Sequence, residues 1–434
     1  MRKLLLLLLL TSVWACSSTK DTAQASMSMD DLAERYVRTL LELGQYDGDI
    51  VDAYYGPEEW EPAAPAADTF PAEEFLQEFR LIQEQLKAQN TEGLSAEEKR
   101  RLTMFQKQVL AAITKVEMMQ GKKYSFDEEA RLLYDAEPPH YELSHFDSIL
   151  HDIDQMLPGK GSIAERWDAY RARFEIPKER LDTVFRAAIA EARKQTKAHY
   201  DLPEQESFKL EFVTDKAWSG YNYYKGNGYS LIQINTDFPI YIERAIDLAS
   251  HEGYPGHHVF NALLEQNLVN EKGWKEYSIY PLFSPQSLIA EGSANYGIDV
   301  AFPAGERLAF EREVLFPLAG LNAAEADRYY AVLDKIGQLD FAGNEAARLY
   351  LNGEISREEA ADMLVRYNLY EKEKALQRTR FMDKYRSYVI NYNLGRELVR
   401  QYVEANGGTD ENPERRWEVF GELLSRPNTA SMLK

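Results

Sequence analysis

The side chains best suited to bind a metal ion lie within eight consecutive residues, which read His251-Glu252-Gly253-Tyr254-Pro255-Gly256-His257-His258. Three of the seven histidines of the chain fall in this segment, beside a glutamate. In the usual zinc peptidase helix, two histidines four residues apart face one ion, and a glutamate after the first histidine acts as general base. The segment therefore predicts a single-metal hydrolase site.

The spacing of the second histidine departs from that helix, because Pro255 stands four residues after His251. Proline cannot donate the helical hydrogen bond and Gly256 tolerates unusual dihedral angles, so a distorted helix is expected here. Two residues looped out would bring His257 to the position of the second ligand. A loop of another length would bring His258 there instead. We favour His257 as the ligand and His258 as a nearby hydrogen-bond donor.

Glu291 is the candidate for the third ligand, since it is the one acid in the small and apolar stretch 288–296. A buried carboxylate is costly unless it is paired or binds a metal. Two histidines, one glutamate and an open position for water are typical of a catalytic zinc site. We therefore expect one Zn²⁺ per chain, bound by His251, His257 and Glu291.

The expected reaction is hydrolysis of a peptide bond by water that the metal activates. Glu252 would accept the proton of that water and pass it to the leaving amine. The oxyanion that forms needs a hydrogen-bond donor. Candidates for this donor are His258, Tyr388, Tyr392 and Arg380, and the sequence does not choose among them.

Substrate contacts are expected from three residues. Arg380 could bind a substrate carboxylate, which would make the enzyme a carboxypeptidase; the alternative is an oligopeptidase. Tyr392 could contact substrate near the oxyanion. The alternating stretch 232–235 could pair with an extended peptide, as exposed sheet edges do, and Asn235 would then bind substrate.

The segment 251–258, followed later by Glu291-Gly292-Ser293-Ala294-Asn295-Tyr296, resembles the bacterial family called domain of unknown function 885. Two further stretches, 52–57 and 157–161, are similar to the same family, so the resemblance covers most of the chain. That family is grouped with the thermolysin-like metallopeptidases, or gluzincins. The resemblance implies a zinc metallopeptidase with a zincin-like fold.

The first sixteen residues resemble a bacterial lipoprotein signal. Two basic residues precede seven consecutive leucines, too few to span a bilayer, and the run ends before Cys16, the single cysteine of the chain. We expect a signal peptide over 1–15, acylation of Cys16 and a tether over 16–27, with the acyl chains holding the protein on the membrane. Ser17 favours the outer membrane of the bacterial cell envelope, facing the periplasm.

Helical periodicity dominates the rest of the chain, and Ser28, Ser95 and Ser356 each begin an expected helix cap. Strand-like alternation occurs between 205 and 237, around a Lys225-Gly226-Asn227-Gly228 turn. We predict a mainly α fold: a large helical protein with a small antiparallel β-sheet beside the active-site helix, a zincin-like α+β arrangement. The expected division is an N-terminal helical region over 28–204 and a zincin-like catalytic region over 205–434.

The formal net charge of −21 opposes binding to phosphate backbones, so we expect no nucleic acid partner. The expected partners are a peptide substrate and, through Cys16, the membrane. One alternative is a lipoprotein that binds a peptide or partner without catalysis. Another is a helical di-metal carboxylate protein, suggested by the Glu-x-x-His spacing at Glu137 and His140 and at Glu142 and His145. Two prolines interrupt the first of these pairs.

Overall fold

The computed structural model describes residues 27–216 and 218–434, apart from the side chain of Ala304. The predicted signal peptide and the predicted lipidation site Cys16 lie outside these residues. Helices account for 64% of the chain and strands for 7%, so the predicted mainly α class with small sheets is confirmed. Among the residues described, no helix is both long and apolar enough to span a membrane.

Three helices begin where the sequence predicts a cap, and capping boxes are present at Ser28, Ser95 and Ser356. The helices in the described part of the chain are α1 (Met29–Gly44), α2 (Ala72–Lys87), α3 (Ala96–Met119), α4 (Phe126–Tyr134), α5 (Leu143–Met156), α6 (Ile163–Arg171), α7 (Leu181–Lys197), α8 (Glu243–Leu248), α9 (His257–Leu264), α10 (Pro285–Ala301), α11 (Ala304–Phe310), α12 (Phe316–Ala319), α13 (Ala326–Gly337), α14 (Ala342–Leu351), α15 (Arg357–Tyr367), α16 (Lys372–Tyr385), α17 (Ile390–Ala405) and α18 (Pro413–Leu424). The strands are β1 (Val51–Tyr54), β2 (Ser207–Val213), β3 (Gly220–Tyr224), β4 (Tyr229–Asn235) and β5 (Ile279–Pro281).

The three-stranded sheet has the order β2-β4-β3. The predicted antiparallel hairpin is present, since β3 and β4 pair antiparallel around residues 225–228. However, β2 pairs parallel with β4, so this sheet is mixed rather than wholly antiparallel. The alternation of the sequence identifies strands but not their order, and β4 inserts between the two earlier strands. Because both edges of β4 are paired, the predicted pairing of 232–235 with a peptide is wrong.

A second sheet joins the two predicted regions of the chain. β1, from the N-terminal region, pairs antiparallel with β5, from the later region. The register shifts between Val51 and Ala53, so Asp52 occupies a bulge in β1. Bulges of this kind redirect a side chain and are common beside active sites. Residues from both regions also belong to one hydrophobic core.

Helix α10 runs through the centre of the molecule and is buried along almost its whole length. It crosses α17 at two glycines: a Cβ placed on Gly292 would lie 2.4 Å from the carbonyl carbon of Gly395. Only glycine permits so close an approach of two helix backbones. The crossing sets Glu291 of α10 near Tyr392 in the first turn of α17 and near Tyr388, which lies in the turn just before it.

Candidate metal centre

The helix that leads to His251 ends shortly after it. Helix α8 continues into a π-helical turn, Ala249–Gly253, and α9 begins anew at His257. The Gly256 amide donates to the Ser250 carbonyl at 2.9 Å, and a Cβ on Gly256 would lie 1.9 Å from the His251 carbonyl oxygen. The expected distortion is therefore present. It is a break between two helices rather than a loop within one helix, and it requires glycine at residue 256.

This break brings together the three residues expected to bind metal. One ligand atom from each of His251, His257 and Glu291 lies within 4.8 Å of the others. The Nε2 atoms of His251 and His257 stand 3.3 Å and 3.7 Å from Oε2 of Glu291. All three side chains are largely buried, with 14%, 12% and 9% exposure.

Two of the three donor spacings, 3.3 Å and 3.7 Å, are close to those around a tetrahedral cation. Metal–ligand bonds of about 2.1 Å at tetrahedral angles separate two ligands by roughly 3.3–3.5 Å. Oε2 of Glu291 is buried and accepts no hydrogen bond from the described residues. Such an orphaned carboxylate oxygen is costly unless a cation or proton faces it. The three residues therefore fit a single divalent metal ion.

Asn295 determines which nitrogen of His251 carries the proton. Its side-chain nitrogen donates to the main-chain carbonyl of Tyr392 at 3.0 Å, so its oxygen must face Nδ1 of His251, 3.1 Å away. An amide oxygen can only accept, and Nδ1 is therefore protonated. The lone pair of Nε2 then points toward Glu291, as a metal ligand requires.

Tyr388 supports the ligand carboxylate. Its hydroxyl donates to Oε1 of Glu291 at 2.8 Å and is buried. Burial raises the pKa of Glu291, but the nearby imidazoles of His251 and His257 more than offset this effect and hold that pKa well below its usual range. The single proton of Tyr388 is thus already committed to Glu291. The expectation that Tyr388 donates to an oxyanion is replaced by a role in orienting this ligand.

Glu252 lies beside the three ligands on the π-helical turn and is 4% exposed. Strand β3 positions it from the other side. The side chain of Asn222 donates to the Glu252 carbonyl at 2.6 Å, and a Cβ on Gly220 would lie 2.8 Å from Oε1 of Glu252. Burial raises the pKa of the Glu252 carboxyl, although His251 and His257 act in the opposite direction. A raised pKa suits a group that must accept and then return a proton.

His258 points away from the metal ligands and is completely buried. Its Nδ1 lies 2.8 Å from the Ser230 hydroxyl and its Nε2 lies 3.3 Å from Glu206. Glu206 also accepts from the Tyr254 hydroxyl at 2.5 Å. Both ring nitrogens are thus occupied, so the expectation of His258 as an oxyanion donor is not met. Adjacent residues at the start of a helix point about 100° apart, which explains the opposite directions of His257 and His258.

The side chain of Asn235 likewise makes its hydrogen bonds to main-chain groups of the protein. Its side-chain nitrogen donates to the main-chain carbonyls of Lys216 and Trp218, each at 3.0 Å, and its oxygen accepts from the Asp237 amide at 3.0 Å. These bonds use both donors of the amide and one of the two acceptor positions of its oxygen. The expected role of Asn235 in substrate binding is therefore not supported.

Arg380 lies on the exposed face of α16, where the structure does not bring it to the ligands. Arg378, two residues earlier and about 200° round the helix, is the arginine on the site's side. Its guanidinium carbon lies 5.9 Å from the ring centroid of Tyr392. Tyr392 in turn packs at 5.8 Å against the ring of Tyr388. Tyr392 thus remains at the site as predicted, whereas Arg380 does not.

Asp52 is a site residue to which the sequence assigned no role. It stands at the bulge of β1, and the hydroxyl of Tyr221 donates to it. Burial raises the pKa of Asp52 to about 6, against the hydrogen bond from Tyr221 and the charge of His257. Its only sequence signal was the family resemblance of residues 52–57. Asp52 adds a carboxylate to the wall that faces His257.

The rival di-metal pattern has no counterpart in the described residues. The ring of His140 is 64% exposed and bonds Asp127 at 3.0 Å, while Glu142 precedes the first turn of α5. The group of His251, His257 and Glu291 is the metal-binding candidate found in this part of the chain.

No family model matches the sequence, and no curated protein matches it. Among solved structures, a protein of Colwellia psychrerythraea that is described as a lipoprotein is similar, with a TM-score of 0.51 and 17% identity. The alignment covers 84% of this chain and 66% of that protein, so the chain spans slightly less than two thirds of its length. A structure named BsuCP has a TM-score of 0.43 at 11% identity, over 92% of this chain and 90% of its own. The first similarity concerns the fold alone, and the second is too low to indicate a shared fold.

Proposed function

We propose that this chain is a zinc-dependent hydrolase of peptide bonds. The observation that carries the proposal is the buried group of His251, His257 and Glu291, whose ligand atoms lie within 4.8 Å of one another. An acidic side chain in the position of a general base, Glu252, stands next to this group. Histidine and carboxylate ligands, with no thiolate, are typical of catalytic zinc. The resemblance to domain of unknown function 885 supports the same activity.

Different residues of the chain would bind the metal and orient its ligands. His251, His257 and Glu291 would hold the ion, and Asn295 and Tyr388 keep two of these ligands in orientation. A divalent cation held by these residues would polarise the scissile carbonyl and lower the pKa of a bound water.

Glu252 accepts a proton from the attacking water and returns it to the amine that leaves. Tyr392 is the remaining candidate for donating a hydrogen bond to the carbonyl oxygen as negative charge develops on it. Its hydroxyl makes no hydrogen bond to the residues described, whereas the hydroxyl of Tyr388 is already bonded to Glu291.

The proposal is tested with purified protein in three states: as isolated, stripped by a chelator, and reloaded with zinc. We expect one zinc per chain by elemental analysis and cleavage of a mixed peptide library, lost on stripping and restored by zinc. A protein that binds peptides but cleaves none in any state would support the non-catalytic alternative. Stoichiometric zinc absent before and after reloading would contradict the assignment of the metal.

We also propose that acylation of Cys16 attaches the protein to the bacterial envelope, at the outer membrane facing the periplasm. The leucine run before Cys16 supports this, as does the description of the similar Colwellia protein. Cys16→Ser should move the protein from the membrane to the soluble fraction of cells, because the acyl chains would be lost. Retention of the variant in membranes after a high-salt wash would contradict anchoring through this residue.

A further inference from the structure

Among the described residues, three cations of α16 form no ion pair: Lys374, Arg378 and the exposed Arg380. Lys374 and Arg378 are four residues apart, one turn of the helix, and therefore share a face. Within the described residues no carboxylate oxygen lies within 4 Å of either group, although most arginines of this acidic chain form ion pairs. Both groups instead lie over aromatic rings. Nζ of Lys374 is 4.5 Å from the Tyr370 ring centroid, and Cζ of Arg378 is 4.4 Å from the Phe381 ring centroid.

Three arginines and two carboxylates lie close enough to Lys374 to act on its charge. Although part of the side chain is exposed, burial of the ammonium group, together with the charges of Arg171, Arg244 and Arg378, lowers the pKa of Lys374 to about 8, whereas Glu371 acts in the opposite direction. Arg171 and Arg244 each have a nearby aspartate, at 2.7 Å and 3.2 Å, so their charges are partly neutralised. Like charges one helical turn apart are unfavourable. An anion between Lys374 and Arg378 would relieve their repulsion.

Arg378 adjoins the candidate metal centre through one aromatic ring, that of Tyr392. Arg378 lies 5.9 Å from the ring centroid of Tyr392, and the main-chain carbonyl of Tyr392 holds Asn295, which orients His251. The phenol of Tyr392 is close enough to Glu291, Arg378 and Glu252 for all three charges to act on it. A substrate lying against Tyr392 would therefore reach the candidate metal ligands at one end and Arg378 at the other, with Lys374 one helical turn from Arg378.

We propose that Lys374 and Arg378 form a subsite for a carboxylate of the substrate, placed beside the bond that is cleaved. The inference rests on the proposed function and names its substrate class: peptides that carry a carboxylate near the scissile bond. The guanidinium of Arg378 can bind both carboxylate oxygens, and the ammonium of Lys374 adds a point charge. A free C-terminus and an acidic side chain share this chemistry.

The test compares peptides that differ only in the carboxylate. One pair has the same sequence with a free or an amidated C-terminus, and a second pair has glutamate or glutamine beside the scissile bond. With zinc-loaded wild-type protein, we expect kcat/KM to be about 10–100-fold higher for the charged member of one pair, as for a charge-assisted hydrogen bond. Preference within the first pair identifies the C-terminus, and within the second the side chain.

Variants assign that preference to the subsite. Arg378→Gln should raise KM for the charged peptide by about tenfold or more and change KM for the uncharged peptide much less. Lys374→Gln should have a smaller effect of the same kind. Arg378→Lys should recover part of it. Arg380→Gln, on the exposed face of the same helix, is the matched control and should behave as wild type.

Binding separates this inference from the proposed activity. Calorimetry of the same peptides with zinc-loaded Glu252→Gln protein should show tighter binding of the charged member, lost in the Glu252→Gln, Arg378→Gln double variant. Absence of cleavage by wild-type protein with this binding pattern intact would overturn the hydrolase and keep the subsite. Cleavage or binding that ignores the carboxylate in both pairs would overturn the subsite alone.

Discussion

Replacing Glu252 by Gln is expected to lower kcat for peptide hydrolysis by about 10²–10⁴-fold, the usual contribution of a general base. Glutamine keeps the size of the side chain but cannot accept the proton of the attacking water. The rest of the site should keep its structure, because residue 252 is held through its main chain. The Asn222 side chain donates to the main-chain carbonyl of residue 252, and the π-helical turn is built from main-chain hydrogen bonds.

The measurements are steady-state kinetics and zinc content of the same preparation. Glu252→Gln should retain one zinc per chain, since the three ligand atoms come from other residues. Glu271→Gln, an exposed glutamate further along the chain, is the control for the chemical change and should retain full turnover. Loss of zinc from Glu252→Gln would make Glu252 a ligand, and unchanged turnover would remove it from catalysis.

Replacing His257 by Ala is expected to abolish stoichiometric zinc binding and, with it, hydrolysis. Only His251 and Glu291 would remain, and two ligands do not complete a catalytic zinc site. The protein should still fold, because His257 is the first residue of α9 and its ring touches the other ligands rather than the hydrophobic core. Elemental analysis after dialysis against trace zinc measures the loss, and circular dichroism checks the fold.

His258→Ala is the matched neighbour, and here the structure changes the expectation. The variant should retain zinc, but its free energy of unfolding should fall by about 2–4 kcal/mol, because a buried ring and its bonds to Ser230 and Glu206 are lost. The zinc affinity of Asn295→Ala should lie between the affinities of His257→Ala and His258→Ala. We expect it to be about 10–100-fold weaker than that of wild type, as for other residues that hydrogen-bond to ligating histidines. Loss of zinc from His258→Ala but not from His257→Ala would reverse the ligand assignment.

The sequence by itself determined the features that depend on local chemistry. The cluster at 251–258 and the isolated Glu291 pointed to the same three side chains that the structure brings together. Helix caps, the mainly helical pattern and the hairpin at 225–228 were also predictable, because residues close in sequence decide them. Proline and glycine at 255 and 256 predicted a distortion, and the structure has a break there.

Only the tertiary structure decided which neighbours each of these side chains meets. His257 and His258 are adjacent and chemically identical, yet the direction of α9 turns one toward Glu291 and the other toward Ser230 and Glu206. In the same way the face of α16 that packs toward the site selects Arg378 and leaves Arg380 outside.

Long-range pairing decided the rest. The insertion of β4 between β2 and β3 closed the edge on which a peptide was expected to bind. The pairing of β1 with β5 brought Asp52 to the candidate metal centre from about 200 residues away in sequence. Periodicity records which face of an element is buried, but not which distant element covers it. For that reason the sequence could name the candidate ligands and the candidate general base, whereas their supporting partners and the candidate carboxylate subsite emerged only from the packed chain.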